Sequence, residues 1–180
     1  QKYAHPLYLQ GLQKLNITAD RVPDFEQMNQ FLMDTVGWEL LSTNVQYTDG
    51  QTWFEHLADR KFLITEYIRD MNSLDYTPLP DIWHDVFGHL PFMVHPEYAD
   101  YLQEFGRRAI EFTVEQRGAV GLGSLWWYSV EFGMMPVDGE MKAFGAGLMS
   151  SYEEMQRAMN GTVELVPYSI DVVGKVPPSP

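Results

Sequence analysis

Apolar positions along the chain recur at spacings that predict mostly helix. Between Pro23 and Gly37 they fall at Phe25, Met28, Leu32 and Val36, one face of a 3.6-residue period, with Gly37 placed as a stop. Thr52-Trp53-Phe54-Glu55 has the form of a capping box and predicts a short helix to about Arg60. Lys61 to Ile68 is rich in β-branched and aromatic residues and reads as a strand. Tyr76-Thr77-Pro78-Leu79-Pro80 is expected to be extended, because each proline disfavours the helical basin for the residue before it. Asp81 then caps a helix to about Leu90, with Pro91 ending it. From Pro96 a long helix carries the stripe Tyr98, Tyr101, Leu102, Phe105, Ala109 and Phe112.

The second half is more broken. Gly118 to Gly123 reads as a glycine-bearing loop, and Leu125 to Phe132 as a dense aromatic run expected to be buried. Asp138-Gly139 is a turn signal between short extended pieces. Ser150-Ser151-Tyr152-Glu153 repeats the capping logic before a last helix that ends at Asn160-Gly161. The pattern predicts a mainly α domain, α+β with a few short strands. It spans 1–180 as one unit, with an irregular tail from about 171 that ends in Pro177-Pro178-Ser179-Pro180.

Composition narrows the chemistry. With 12 Lys and Arg against 25 Asp and Glu the formal charge is −13, which argues against a nucleic-acid partner and against an anionic membrane surface. No uncharged apolar stretch approaches the roughly 20 residues of a membrane helix. The absence of cysteine removes disulfides, thiolate nucleophiles and cysteine–metal sites. An apolar fraction of 45% supports a real core. The chain opens at Gln1 with no initiator Met and no apolar leader, which reads as a trimmed start and a cytoplasmic protein.

What remains is His, carboxylate, hydroxyl or cofactor chemistry. His84 and His89 lie five apart in the apolar segment Asp81–Pro91, about 140° apart on an ideal α-helix. They converge on one ion if His84 sits on the first turn and His89 on a loosened last turn before Pro91; otherwise they are two core histidines satisfied by hydrogen bonds. Glu131 sits in the apolar run Ser124–Gly133, where a carboxylate is costly to bury unless paired or metal-bound. Its alternatives are an exposed helix edge or a buried arginine partner. Two imidazoles and one carboxylate form the set associated with non-haem Fe(II) oxygen activation, with zinc hydrolysis the competing use. Zinc fits less well, since no glutamate stands in a His-Glu-x-x-His frame. Arg69 could hold a carboxylate in a bidentate fork, or pair at the surface with Asp70 or Glu66. Trp53, Trp83, Trp126, Trp127 and Phe132 could wall a flat pocket or simply belong to the core.

The residues Tyr67-Ile68-Arg69, the run Thr77-Pro78-x-Pro80-Asp81-Ile82-x-His84-Asp85-x-x-Gly88-His89-x-Pro91, Val130-Glu131-Phe132-Gly133 and Lys142–Ser151 together resemble the catalytic domain of the aromatic amino acid hydroxylases. The match extends more weakly from about His5 to Pro167. This resemblance implies iron held by His84, His89 and Glu131, with tetrahydropterin and O₂ as co-reactants in hydroxylating an aromatic amino acid, phenylalanine to tyrosine by default. It implies that Arg69, helped by Thr77 and Ser150, grips the amino acid carboxylate, while Pro80, Trp127, Phe132 and Gly147 shape the ring pocket. Trp53, Asp85 and Trp126 take the positions of the pterin-binding side, replacing the family's Phe, Glu and Tyr. Leu79 replaces a Glu, and the loop Gln46–Gln51 differs from the family's glycine- and leucine-containing loop. The family's tetramerisation segment has no counterpart, so monomer or dimer is expected. An iron oxygenase of the same fold with another reductant or substrate, and a non-catalytic relic of the fold, are the alternatives.

Overall fold

The computed structural model describes residues 2–178 apart from 73, 76 and 78. Part of the expected extended run, at Tyr76 and Pro78, therefore lies outside the described residues. Helix α1 (Pro6–Lys14) starts on a proline whose missing N–H costs nothing in a first turn. Helix α2 (Phe25–Val36) is capped by Asp24, buries Met28, Leu32 and Val36, and ends on Gly37 at φ 69°, as its pattern predicts.

Strand β1 (Glu39–Thr43), helix α3 (Gly50–Ala58) and strand β2 (Lys61–Thr65) form a parallel crossover unit, in register from Glu39 opposite Lys61 to Thr43 opposite Thr65. Two expectations shift here. The cap of α3 is Asp49, not Thr52: its carboxylate accepts the Gln51 and Thr52 N–H groups, both at 3.0 Å, and its charge suits the helix N-terminus. Strand β2 stops at Thr65, three residues short of Ile68, because β1 offers no partner beyond Thr43.

Next come a π-helix at His84–His89, the short helix α4 (Leu90–Met93) and helix α5 (Pro96–Ile110). Pro91 does not end the helix as expected. It falls in the first turn of α4, where its nitrogen has no hydrogen bond to lose, and the helical path runs on to Met93. Of the predicted stripe on α5, Tyr98, Leu102 and Ala109 are buried, while Tyr101 is 43% exposed.

The expected glycine loop is mostly helical: α6 (Val114–Val120) and α7 (Leu122–Trp126) meet at Gly121, whose φ of 67° is the break. A second π-helix follows at Trp127–Glu131. Strands β3 (Met134–Val137) and β4 (Glu140–Ala143) pair as a hairpin, and Asp138 and Gly139, both at positive φ, make its two-residue turn as predicted. Helix α8 (Ala146–Ser150), helix α9 (Tyr152–Met159, capped by Ser151) and the helical turn α10 (Ile170–Val173) complete the chain, the last inside the stretch expected to be irregular.

Trp38, Phe62, Leu90, Phe92, Met93 and Leu102 are fully buried in one core cluster, to which α1, α2, both parallel strands, α4 and α5 contribute. The aromatic run at 125–132 is not buried as expected. Only Val130 is, and its neighbours are half-buried because they wall a cavity. Among the described residues no helix is long and apolar enough to cross a membrane.

Candidate metal centre

The two histidines meet because the helix carrying them is not an α-helix. A π-helix bonds i to i+5, so His84 and His89 stand one turn apart on one face rather than about 140° around it. The condition set by α geometry is thus met by a change of winding. Helix α8 packs against this segment so closely that a Cβ on Gly88 would lie 2.8 Å from the Ala146 carbonyl oxygen. Glu131 arrives from the second π-helix.

The donor atoms face one another: His84 Nε2 and His89 Nε2 are 3.1 Å apart, and the Glu131 carboxylate oxygens lie 3.4 Å from His84 Nε2 and 3.3 Å from His89 Nε2. Such separations match adjacent ligands around one ion bonded at roughly 2.1 Å. Among the described residues these three form the group of His, Cys, Asp and Glu side chains able to hold a metal.

Second contacts fix two of the three ligands, His84 and Glu131, while His89 Nδ1 is buried with no hydrogen-bond partner among the described residues. Ser150 Oγ donates to the Ala146 carbonyl (2.9 Å), so it accepts from His84 Nδ1 (2.8 Å); that places the His84 proton on Nδ1 and leaves Nε2 as an electron-pair donor. Trp126 Nε1 donates to Glu131 Oε1 at 2.9 Å, again a pair five residues apart. Burial opposes charge on His84, but Glu131 and then Asp85 and Asp81 outweigh it and raise its pKa. Burial likewise opposes ionisation of Glu131, yet His89 and His84 hold its carboxyl well below the usual range. An ionised carboxylate aimed at two ring nitrogens is a cation site by its chemistry.

Arg69 is buried and pairs neither with Asp70 nor with Glu66. Its Nε and Nη2 donate to the two oxygens of Asp81 at 2.8 and 2.6 Å. Nη1 donates to the carbonyls of Asp75 (2.6 Å), Ser150 (3.0 Å) and Leu74 (3.2 Å). Burial works against the Asp81 carboxylate, but Arg69 and the His84 amide lower its pKa. Asp81 therefore joins the arginine to the first turn of the metal segment, a role that sequence reading assigned only to a helix cap. Asp85 turns its Oδ2 onto β2, accepting Thr65 N and Oγ1 at 2.8 Å each, and burial pushes its carboxyl up.

One cavity of about 870 Å³ brings all of these together. His84, His89, Glu131, Arg69, Thr77, Pro80, Trp127, Phe132, Gly147, Ser150, Trp53, Asp85 and Trp126 all line it. Trp53 meets Trp126 edge to face, ring centres 5.9 Å apart, and Trp127 lies 4.7 Å from Phe132. Sequence reading missed Arg117 and Lys175, which line the same cavity. The available signal was a cation in a short helix, which ordinarily marks a solvated face.

Two histidines and one carboxylate lining an aromatic cavity of a mainly helical domain are the donor set associated with non-haem iron sites. The sequence profile of the biopterin-dependent aromatic amino acid hydroxylases matches residues 1–178, and the chain belongs to that family. It is 40% identical over 148 residues to the phenylalanine-4-hydroxylase of Chromobacterium violaceum, covering 82% of this chain and 49% of that protein. To the phenylalanine-4-hydroxylase of Mesorhizobium japonicum it is 38% identical over 175 residues, 96% of this chain and 62% of the relative. The chain thus spans half to two-thirds of these relatives. The crystal structure of the C. violaceum enzyme with iron(III) and 7,8-dihydrobiopterin superposes with a TM-score of 0.85 at 34% identity, covering 97% of this chain and 63% of that one.

Proposed function

We propose that this chain is an iron-dependent monooxygenase that hydroxylates the ring of an aromatic amino acid, phenylalanine to tyrosine, with O₂ and a tetrahydropterin. The observation that carries the reading is the convergence of His84, His89 and Glu131 in the same cavity as Arg69. The similar C. violaceum protein has iron and dihydrobiopterin bound, and the relatives are phenylalanine hydroxylases.

His84, His89 and Glu131 would hold Fe(II), which with O₂ and the reduced pterin supplies the oxidising power for transfer of one oxygen atom to the ring. Three facial protein ligands leave the remaining positions open. Ser150 keeps His84 in the tautomer that would bind metal, and Trp126 fixes the orientation of the Glu131 carboxylate by donating to its Oε1. Arg69 receives the substrate carboxylate by exchanging its Leu74 and Asp75 carbonyl contacts for it, while Asp81 keeps the guanidinium in place. Trp127, Phe132, Pro80 and Gly147 exclude water around the ring, and Trp53, Asp85 and Trp126 face the reductant.

In an Fe(II)-loaded sample with tetrahydrobiopterin, O₂ and phenylalanine, tyrosine should form and be detected by chromatography. His84→Ala should lose both stoichiometric iron and turnover. A filled iron site that hydroxylates no aromatic amino acid would overturn the substrate assignment.

A further inference from the structure

Helix α6 inverts the usual pattern of burial. Its buried side chain is Arg117, only 8% exposed, while Val114 and Val120 stand 73% and 42% exposed. A buried guanidinium without a counter-charge is costly, and a breach of the local hydrophobic rule marks a place where function opposes stability. The cation spends little of its bonding capacity on the protein. Nη1 donates to the Ala109 carbonyl at 3.3 Å, in the last turn of α5, and the guanidinium carbon lies 6.0 Å from the centre of the Phe54 ring. Among the described residues no carboxylate pairs with it and the Nε–Nη2 edge has no hydrogen-bond partner. That edge is the two-donor fork that matches the two oxygens of a carboxylate.

Arg117 lines the cavity that holds the metal ligands, next to Phe54, which directly follows Trp53 in α3. The wall beside it is bare: a Cβ on Gly118 or Gly123 would meet nothing within 4 Å. Lys175 adds a second cation to the lining, on a segment packed so tightly on α7 that a Cβ at Gly121 would lie 1.9 Å from the Gly174 carbonyl oxygen. Lys175 is exposed where Arg117 is buried, and in a chain of net charge −13 two cations lining one cavity with no carboxylate partner among the described residues favour an anion there.

We infer that Arg117, with Lys175, forms a carboxylate subsite for the reductant: the pterin that fits this chain carries a side chain ending in a carboxylate. The amino acid substrate does not supply that group, since its single carboxylate is assigned to Arg69. The inference rests on the pterin reading above.

Calorimetric titration of the full chain with three probes tests it. The probes are 7,8-dihydrobiopterin, whose side chain is neutral, 7,8-dihydrofolate, whose side chain ends in carboxylates, and p-aminobenzoylglutamate, which is that side chain alone. Dihydrofolate should bind at least tenfold tighter than dihydrobiopterin, and p-aminobenzoylglutamate should bind measurably. Arg117→Gln should bring the two pterins within about twofold by weakening dihydrofolate alone, and should abolish binding of p-aminobenzoylglutamate. Arg117→Lys, which keeps the charge and loses the fork, should lose most of the preference, and it serves where the glutamine variant does not fold. Equal affinity of the parent for both pterins, equal weakening of both by Arg117→Gln, or an Arg117→Lys variant that matches the parent would each overturn the subsite. If neither pterin binds while p-aminobenzoylglutamate binds the parent and not Arg117→Gln, the anion site stands and the pterin reading falls. If no probe binds the parent, both fall.

Discussion

Trp126 joins the aromatic wall to the metal ligands through one hydrogen bond. Its ring is packed edge to face against Trp53 and Phe105, so the indole is held in place whether or not it donates to Glu131. Replacing it with phenylalanine keeps much of that packing and removes the donor. A hydrogen bond to a charged acceptor contributes about 1.5–3 kcal/mol, and loss of such an outer contact lowers metal affinity about 10–100-fold. Trp126→Phe should therefore weaken Co(II) binding in that range and lower the thermal midpoint of the metal-free protein by a few degrees. An unchanged affinity would mean that Glu131 is oriented by its backbone alone. At this scale the ligands were legible in sequence, because a glutamate and two histidines in apolar runs need a reason to be there. Trp126 was placed beside the pterin by resemblance, and its bond to Glu131 was not legible, since the pairing depends on how the intervening turn is wound.

Among the elements, the interface between α8 and the His84–His89 segment does most to shape the centre. Gly88 lets the Ala146 carbonyl approach, and the same helix presents Ser150 to His84 Nδ1. Alanine at position 88 has the better helix propensity by about 1 kcal/mol. Its methyl group, however, would sit 2.8 Å from a backbone oxygen and 3.1 Å from the Ala146 Cβ, and backbone cannot step aside cheaply. Overpacking of this kind costs about 1–3 kcal/mol, so Gly88→Ala should lower the Tm by a few degrees. Its metal affinity should drop too, because α8 carries Ser150 away from His84. Differential scanning calorimetry and a metal titration check both effects. Periodicity located helices such as α2 and α5 well, since their buried faces follow a 3.6-residue repeat. It failed at residues 84–93 and 114–131, where π turns and one left-handed glycine reset the phase.

For the molecule as a whole, the buried Arg69–Asp81 pair ties the segment after β2 to the start of the metal-bearing helix. The Asp81 carboxyl titrates below its usual range in the folded state. Its contribution to stability is thus complete above the unfolded value near ~3.9 and is lost as pH falls through the lower folded value. Asp81→Asn leaves a buried guanidinium without its counter-charge and should cost about 3–5 kcal/mol at pH 7. Urea unfolding of parent and variant between pH 7 and 3 should show that deficit begin to narrow below about pH 4, where the unfolded parent takes up a proton that the folded carboxylate still resists. A constant difference would place the effect in packing. The −13 net charge acts on both proteins alike and cancels in the comparison. The pattern of apolar positions read the molecule correctly as mainly helical with a few short strands, but composition could not show that two of its few cations are turned inward, because charge counts carry no direction.

The π-helical winding also makes the centre depend on chain length. A π turn holds one residue more than an α turn, so the five-residue spacing of His84 and His89 works only with this winding: with every residue kept but the segment rewound as α-helix, the two imidazoles would stand about 140° apart. Rewound so, the protein would keep its composition and lack a metal site, whereas in α geometry the pair would face one ion only at a spacing of four. Here the count of residues between two ligands matters as much as the identity of the ligands themselves.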